Sequence, residues 1–228
     1  RRRLVRAMWS NLGRILTEYS CFKSLRYAGR IELVGADALP PPGAPVIIAA
    51  SHTGSWDALS IGIMIAGHKL ASIYEPQANL VRGRIVMRER RALGWLGLAS
   101  DAAPVRAALR HLEAKGALAI YVDEYVAGQV NGPALGRDVK LDGNMLLAAR
   151  LAYRSKAPLV FAKCERTKGA RYRVSFVRVE TDSGDIPAIV GELDRLLEAG
   201  VRPTPEQVLM RHGMQVGGEA RAVWVQFA

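Results

Sequence analysis

The sequence predicts an α/β fold, a single domain with a central, mostly parallel sheet flanked by helices. Short apolar runs alternate with segments of helical period along the chain, the pattern of a sheet covered on both faces. Two of the runs, APVIIAAS (44–51) and ALAIYVDE (117–124), are continuously apolar up to their polar ends, as strands buried on both faces are. The 228 residues show no repeat and no low-complexity linker, and they suffice for one such domain with a real core.

Taken in order, the opening RRRLVRAMWSNLGRILTEYSCFKSL has helical period. Leu4, Met8, Trp9, Leu12, Ile15, Leu16 and Tyr19 recur at three- and four-residue spacing, weakened by Gly13. The first thirty residues carry eight Lys/Arg and one acid. A basic amphipathic helix with Trp and Leu on its apolar face can lie in a membrane interface, pack on the domain, or do both. Residues 1–30 are therefore read as a basic helical segment packed on or beside the domain of residues 31–228. RIELVGADALPPPG is a short strand and a Pro-rich turn, followed by the 44–51 strand. Helices are expected over 57–67, 78–93, 103–115, 142–155 and 185–200, with a further one starting at TPEQVLM. Strands are expected over 70–75, 117–124 and 157–165. AGQVNGPALG is a loop, and YRVSFVRVE (172–180) alternates cleanly, as a half-exposed antiparallel strand does.

Composition bounds the partners. The formal charge of +11 and the pI of about 10.1 favour an anionic partner: nucleic acid, an anionic membrane or an acidic protein. Nucleic acid is disfavoured, because no aromatic-interleaved RNA motif and no DNA-reading motif is present. The two cysteines, Cys21 and Cys164, form no Cys-x-x-Cys pair, so neither a disulfide framework nor a zinc knuckle is expected. Cys164 reads as a small buried hydrophobe. The most apolar stretch, ALSIGIMIAG (58–67), is about half the roughly 18–20 residues needed to span a bilayer. No signal peptide, Walker motif or Gly-x-Gly-x-x-Gly is visible. The histidines show no metal-ligand spacing with carboxylates.

Chemistry gathers where strands end, since open α/β sheets collect reactive side chains at the carboxyl edge. One apolar run ends at Ser51-His52 and another at Asp123-Glu124. Asp57 follows His52 by five positions. A histidine can take a proton from an alcohol at neutral pH, and a carboxylate on its other nitrogen fixes the tautomer and stabilises the imidazolium. Roughly 0.4 such His–acid spacings arise by chance in a chain of this composition, so spacing alone does not choose. The competing reading makes Asp57 a helix N-cap and His52 a hydrogen-bonded turn residue. Ser51 and Ser55 flank the histidine but lie in no Gly-x-Ser-x-Gly elbow.

Several blocks, in order, resemble the bacterial lipid A biosynthesis acyltransferases, which include lauroyl and myristoyl transferases and have phosphatidylinositol mannoside acyltransferases as relatives. WSNLGRILTEYS (9–20) is similar to the family's opening block. SHTGSWDAL resembles its His-Gly-Asn-Trp-Glu signature, with Asp57 where many members carry glutamate. SIYEPQANLVRGRIVMRERRALG (72–94), AIYVDEYVAG (119–128), ALGRDVKLDGNMLLAARLAYRSKAPLVFAKCER (134–166) and TPEQVLMRH (204–212) follow. The resemblance implies a glycerolipid-acyltransferase-like fold. It also implies a membrane-associated enzyme that moves an acyl chain from acyl carrier protein or coenzyme A to a hydroxyl of a lipid A precursor or related glycolipid. On it, His52 is the general base and Asp57 its partner, while Trp56, Arg82, Arg91, Asp123 and Glu124 are substrate-side residues. No metal and no cofactor beyond the acyl thioester are expected. The implied partners are a lipid acceptor, the acyl donor and an anionic membrane surface. The implied place is the cytoplasmic face of the bacterial inner membrane, peripheral or through an anchor outside this chain. The departures, EPQAN for the family's Arg-Pro pair and Asp-Glu for Asp-Gln-Asp, bear on the acceptor more than on the reaction. Another lipid acceptor such as a lysophospholipid, and a catalytically silent module binding anionic lipid, are the competing expectations.

Overall fold

The structure is a computed structural model and describes residues 2–18, 29–74, 80–99, 104–126, 129–130 and 132–208. In chain order its elements are α1 (Arg2–Thr17), β1 (Ile31–Val34), β2 (Val46–Ala50), α2 (Trp56–Ile65), β3 (Leu70–Tyr74), α3 (Leu80–Ala92), β4 (Leu96–Ala99) and α4 (Pro104–Glu113). There follow β5 (Ala117–Tyr121), the short β6 (Tyr125–Val126) and β7 (Gln129–Val130), α5 (Gly143–Ser155), β8 (Leu159–Lys168), β9 (Arg171–Val179) and α6 (Ile186–Val201). Seven strands form one sheet in the order β1-β9-β8-β2-β5-β3-β4. The five from β8 to β4 are parallel to one another; β9 is antiparallel to β8, and β1 is parallel to β9. The α/β class and the mostly parallel sheet are as the sequence predicts.

The central strands β2 and β5 bury both faces, so each face needs its own helical cover. On one side Ile47, Ala49, Leu118 and Ile120 pack with residues of α4, α5 and α6, among them Leu112, Ala149 and Leu193. On the other, Val46, Ile48, Ala50 and Ala119 pack with Leu59, Ile61 and Ile63 of α2 and with Leu93 and Trp95. Helix α2 is apolar nearly all round because it lies between the sheet and its neighbours. A Cβ at Gly62 would stand 2.9 Å from Val174 Cγ2, so glycine lets the helix lie close on β9.

Strand β9 alternates as expected, with Tyr172, Val174 and Phe176 buried and Arg171 and Arg173 exposed. Three expectations are corrected. The strand read as 117–124 ends at Tyr121, so the two acids follow it rather than belong to it. Helix formation at TPEQ stops at one 3-10 turn, Pro205–Gln207; Val208 then bridges to Thr53, and the residues beyond lie outside those described. The edge strand β4 was not foreseen. Its LGLA contains a glycine and no β-branched residue, so it is a strand only because Ala71 to Tyr74 offer it partners. Of the short hairpin β6–β7, strand β7 sits in the segment read as a loop.

Ile48, fully buried in the middle of β2, tests the two-faced core. Ile48→Ala is expected to cost about 2–5 kcal/mol, read as a lower urea midpoint with little change in slope.

Candidate active site

Register brings the site together. Ala50 at the end of β2 pairs with Tyr121 at the end of β5, and the Val122 N–H donates to the Ala50 carbonyl at 2.9 Å. Two residues further along each chain, His52 and Asp123 are neighbours at the carboxyl edge. The His52 backbone N–H donates to Asp123 Oδ2 at 2.7 Å, and the ring Nδ1 lies 2.9 Å from Asp123 Oδ1. One carboxylate thus holds both the backbone and the ring of the histidine. An ionised carboxylate has no proton to give, so Nδ1–H donates and Nε2 is the basic nitrogen. Nε2 has no hydrogen-bond partner among the described residues. The His52 side chain is 20% exposed, whereas that of Asp123 is fully buried. The Tyr121 ring stacks on the imidazole with centroids 4.1 Å apart, and Trp56 meets it edge-on at 6.0 Å.

The carboxylate expected on His52, that of Asp57, is elsewhere. Asp57 lies in the first turn of α2, buried, and its Oδ1 accepts from Arg90 Nε of α3 at 2.8 Å. The N-cap role also falls to another residue, since the Ser55 hydroxyl accepts from Ala58 N at 3.2 Å. The reason is helical geometry. The chain turns into α2 at Trp56, whose ring stays beside His52, and the next residue, Asp57, faces α3. Arg90 is held in turn by Trp95, its guanidinium 5.3 Å from the ring centroid, and Trp95 Nε1–H donates to Ser72.

The acid pair divides its work between two elements, His52 after β2 and the start of α5. Asp123 serves His52, whereas Glu124 accepts from the Asn144 N–H at the start of α5 at 2.9 Å. Asn144 Nδ2 also donates to the Tyr121 carbonyl at 2.8 Å, tying α5 to the end of β5. Arg91 is exposed on α3 and makes no contact with His52 or Asp123; the side chain of Arg82 lies outside those described. The sequence reading did not single out Tyr121 or Asn144. The one available signal for Tyr121 was its place at the end of an apolar run, two residues before Asp123.

Residues 1–213 match the family of bacterial lipid A biosynthesis acyltransferases. The chain belongs to this family. It is accordingly an acyltransferase acting on lipids. No curated protein matches it. Among solved structures, the fold is similar to the 1-acyl-sn-glycerophosphate (LPA) acyltransferase PlsC from Thermotoga maritima. That similarity has a TM-score of 0.51 at 12% identity and covers 84% of this chain and 79% of that one. No described helix of this family member is long and apolar enough to cross a membrane.

The turn that carries His52 in this acyltransferase is braced from behind. Gly54 has φ +60°, and a Cβ there would stand 2.4 Å from the Cys164 carbonyl oxygen, so the turn needs glycine. Its N–H donates to the Gln207 carbonyl at 3.0 Å, and its carbonyl accepts from Asn11 Nδ2 of α1 at 3.4 Å. Asn11 Oδ1 accepts from Arg166 Nε, and the Arg166 guanidinium forks onto both oxygens of Glu18. Glu18 also accepts from the Tyr172 hydroxyl, whose pKa burial, and then Glu18 itself, push up, so it stays a donor. The Gln207 side chain closes the brace on the Arg166 backbone N–H and carbonyl. Burial pushes the Cys164 thiol up to about 12, in keeping with an inert packing role.

Arg90→Met leaves a 3% exposed carboxylate without the guanidinium that faces it. The substitution is expected to cost about 3–5 kcal/mol in urea unfolding, and Asp57→Asn in the same chain should recover part of that loss.

Proposed function

We propose that this chain transfers a fatty acyl group from an acyl thioester, carried on acyl carrier protein or coenzyme A, to a hydroxyl of a lipid A precursor or related glycolipid, with His52 as general base. The observation that carries the reading is the His52–Asp123 pair, with one ring nitrogen bound to a buried carboxylate and the other basic and open to the surface. Nε2 takes the acceptor's hydroxyl proton as its oxygen attacks the thioester carbonyl. The tetrahedral intermediate expels the thiolate, the C–S bond breaks, and the imidazolium returns the proton to sulfur. Asp123 keeps the ring in the Nε2-basic tautomer and stabilises the imidazolium. The thioester is already activated, so the reaction needs no covalent enzyme intermediate and no further cofactor. Asp57 and Arg90 form the wall beside the base rather than the base's partner. Trp56, edge-on to His52, borders the acyl side. Arg82, Arg84, Arg88 and Arg91 of α3 offer charge to a phosphate or to an acidic carrier protein.

The chain is proposed to work at the cytoplasmic face of the bacterial inner membrane, held there peripherally. Helix α1 supports this. Asn11 and Ile15 face the domain, while Val5, Trp9, Leu12 and Leu16 form an adjoining stripe, with Trp9 61% and Leu16 43% exposed. Arg2 and Arg6 flank that stripe, the arrangement of a helix lying in an anionic interface.

His52→Ala is expected to lower transfer by about 10²–10⁴-fold with an unchanged circular dichroism spectrum, and Asp123→Asn by a comparable factor. Products are read by mass spectrometry of membrane lipid extract supplied with each donor. Full activity of His52→Ala would overturn the base. An acylated lysophospholipid, the acceptor class named for the Thermotoga enzyme, would move the assignment to that acceptor. Salt-sensitive lipid binding without turnover would replace it by a binding module.

Trp9→Glu with Leu16→Glu should weaken co-sedimentation with phosphatidylglycerol-containing vesicles at least about tenfold. Unchanged binding would remove α1 from the membrane contact.

A further inference from the structure

We propose that Tyr121 is a positioning residue for acyl transfer. It acts through His52, as a rigid aromatic floor that fixes the plane of the imidazole and favours its protonated form as the acceptor's proton arrives. The inference rests on the reading of His52 as the base.

The geometry has three parts. The Nδ1 bond to Asp123 anchors the ring at one edge, but a single hydrogen bond leaves a tilt about its own axis. The Tyr121 ring lies against the imidazole face at 4.1 Å with only 24° between the planes, and so removes that tilt. Trp56 stands edge-on to the ring, at 72°. Nε2 is then aimed in one direction, which is what abstraction of a proton from an incoming alcohol requires.

Tyr121 can serve as a floor because it is itself held. Its backbone is paired opposite Ala50 at the end of β5, and its carbonyl accepts from Asn144 Nδ2. Its hydroxyl donates to the Trp56 carbonyl at 3.3 Å, reaching across to the first residue of α2. Tyr121 and Asp123 lie two residues apart, so a single short segment at the end of β5 supplies both the in-plane and the out-of-plane restraint on His52. Burial, and next the Asp57 charge, push the phenol's pKa up, so the ring stays a neutral phenol with an electron-rich face.

The energetic consequence is differential. A neutral imidazole gains ordinary stacking from that face, whereas an imidazolium gains cation–π attraction as well. The cation exists only once the proton has moved. The contact is therefore stronger in the transition state than in the ground state, and its loss should appear in kcat rather than in KM.

The test compares Tyr121→Phe, which keeps the ring and loses the hydroxyl, with Tyr121→Leu, which loses the ring. Both are assayed with a lauroyl thioester and membrane lipid extract, beside wild type and His52→Ala. Phe is expected within about threefold of wild type. Leu is expected to lower kcat about tenfold at unchanged KM, the size of a desolvated cation–π contact. The second measurement is proton NMR of the histidine rings. The chain has four histidines, and His52 is assigned by the signals lost in His52→Gln. Its ring protons should lie upfield in wild type and in Phe through the Tyr121 ring current. Their absence from that position overturns the proposal whether or not the Leu variant folds. Wild-type kcat in the Leu variant, with His52→Ala inactive, also overturns it. So does a Phe variant as slow as Leu, which would assign the effect to the hydroxyl. Full activity of His52→Ala is a different result: it removes the base itself, and this proposal with it.

Discussion

The parallel register between β2 and β5 is the constraint on which the site depends. Both strands are buried on both faces, and each face packs its own set of side chains, so a slip of one residue would exchange Ile47 and Ile48 between two differently packed cores. With Ala50 opposite Tyr121, the residues two positions beyond must meet, and these are His52 and Asp123. The carboxylate then bonds the histidine twice, at backbone and ring. Burying that carboxylate would be costly by itself. Two donors from one residue offset part of the cost and make the placement of the base a consequence of the core.

The other restraints converge on the turn that follows. Residues 52–55 belong to no helix or strand, and a turn of this kind is held only by what surrounds it. Here the surroundings come from distant parts of the chain: Asn11 of α1, Gln207 near the end of the described chain, and Arg166 of β8, which bonds both and is itself held by Glu18. The Arg166–Glu18 contact among them is a half-buried, charge-assisted fork, where removal of one partner strands the other. These bonds also join α1, the element that presents Trp9 and Leu16 outward, to the turn carrying the base. The helix exposed for contact and the residue positioned for chemistry are thus mechanically neighbours.

Charge is distributed with the same economy. Among the described residues most arginines and lysines are exposed, and pairs such as Arg195–Glu192 are solvated and contribute little. Around the site, charges are buried and specific. Asp123 faces the imidazole, and Asp57 faces Arg90 under the ring of Trp95. Glu124, the third acid nearby, is spent on the amino end of α5, where a carboxylate satisfies an N–H that Asp142 leaves without a side-chain cap. Three acids of similar chemistry therefore have three different roles, set by which element each one faces.

Much of the fold was legible because it rests on local pattern. Continuous apolar runs marked β2 and β5, alternation marked β9, and 3.6-residue periodicity marked α1, α4 and α6. Strand β4 was not legible, because LGLA has no intrinsic preference and pairs only where β3 offers it an edge. At the site, the sequence by itself determined that His52 and Asp123 stand where strands end, since apolar runs stop there. It also brought His52 and Asp57 close in number, and that closeness misled. Which carboxylate meets the imidazole was decided only by tertiary structure. Proximity across a sheet depends on register between strands some seventy residues apart, whereas proximity along the chain is undone by the turn into α2, which swings Asp57 towards Arg90. The stacking of Tyr121 belongs to the same class: an ordinary strand residue in the sequence, it lies against the base only because β2 and β5 are paired as they are.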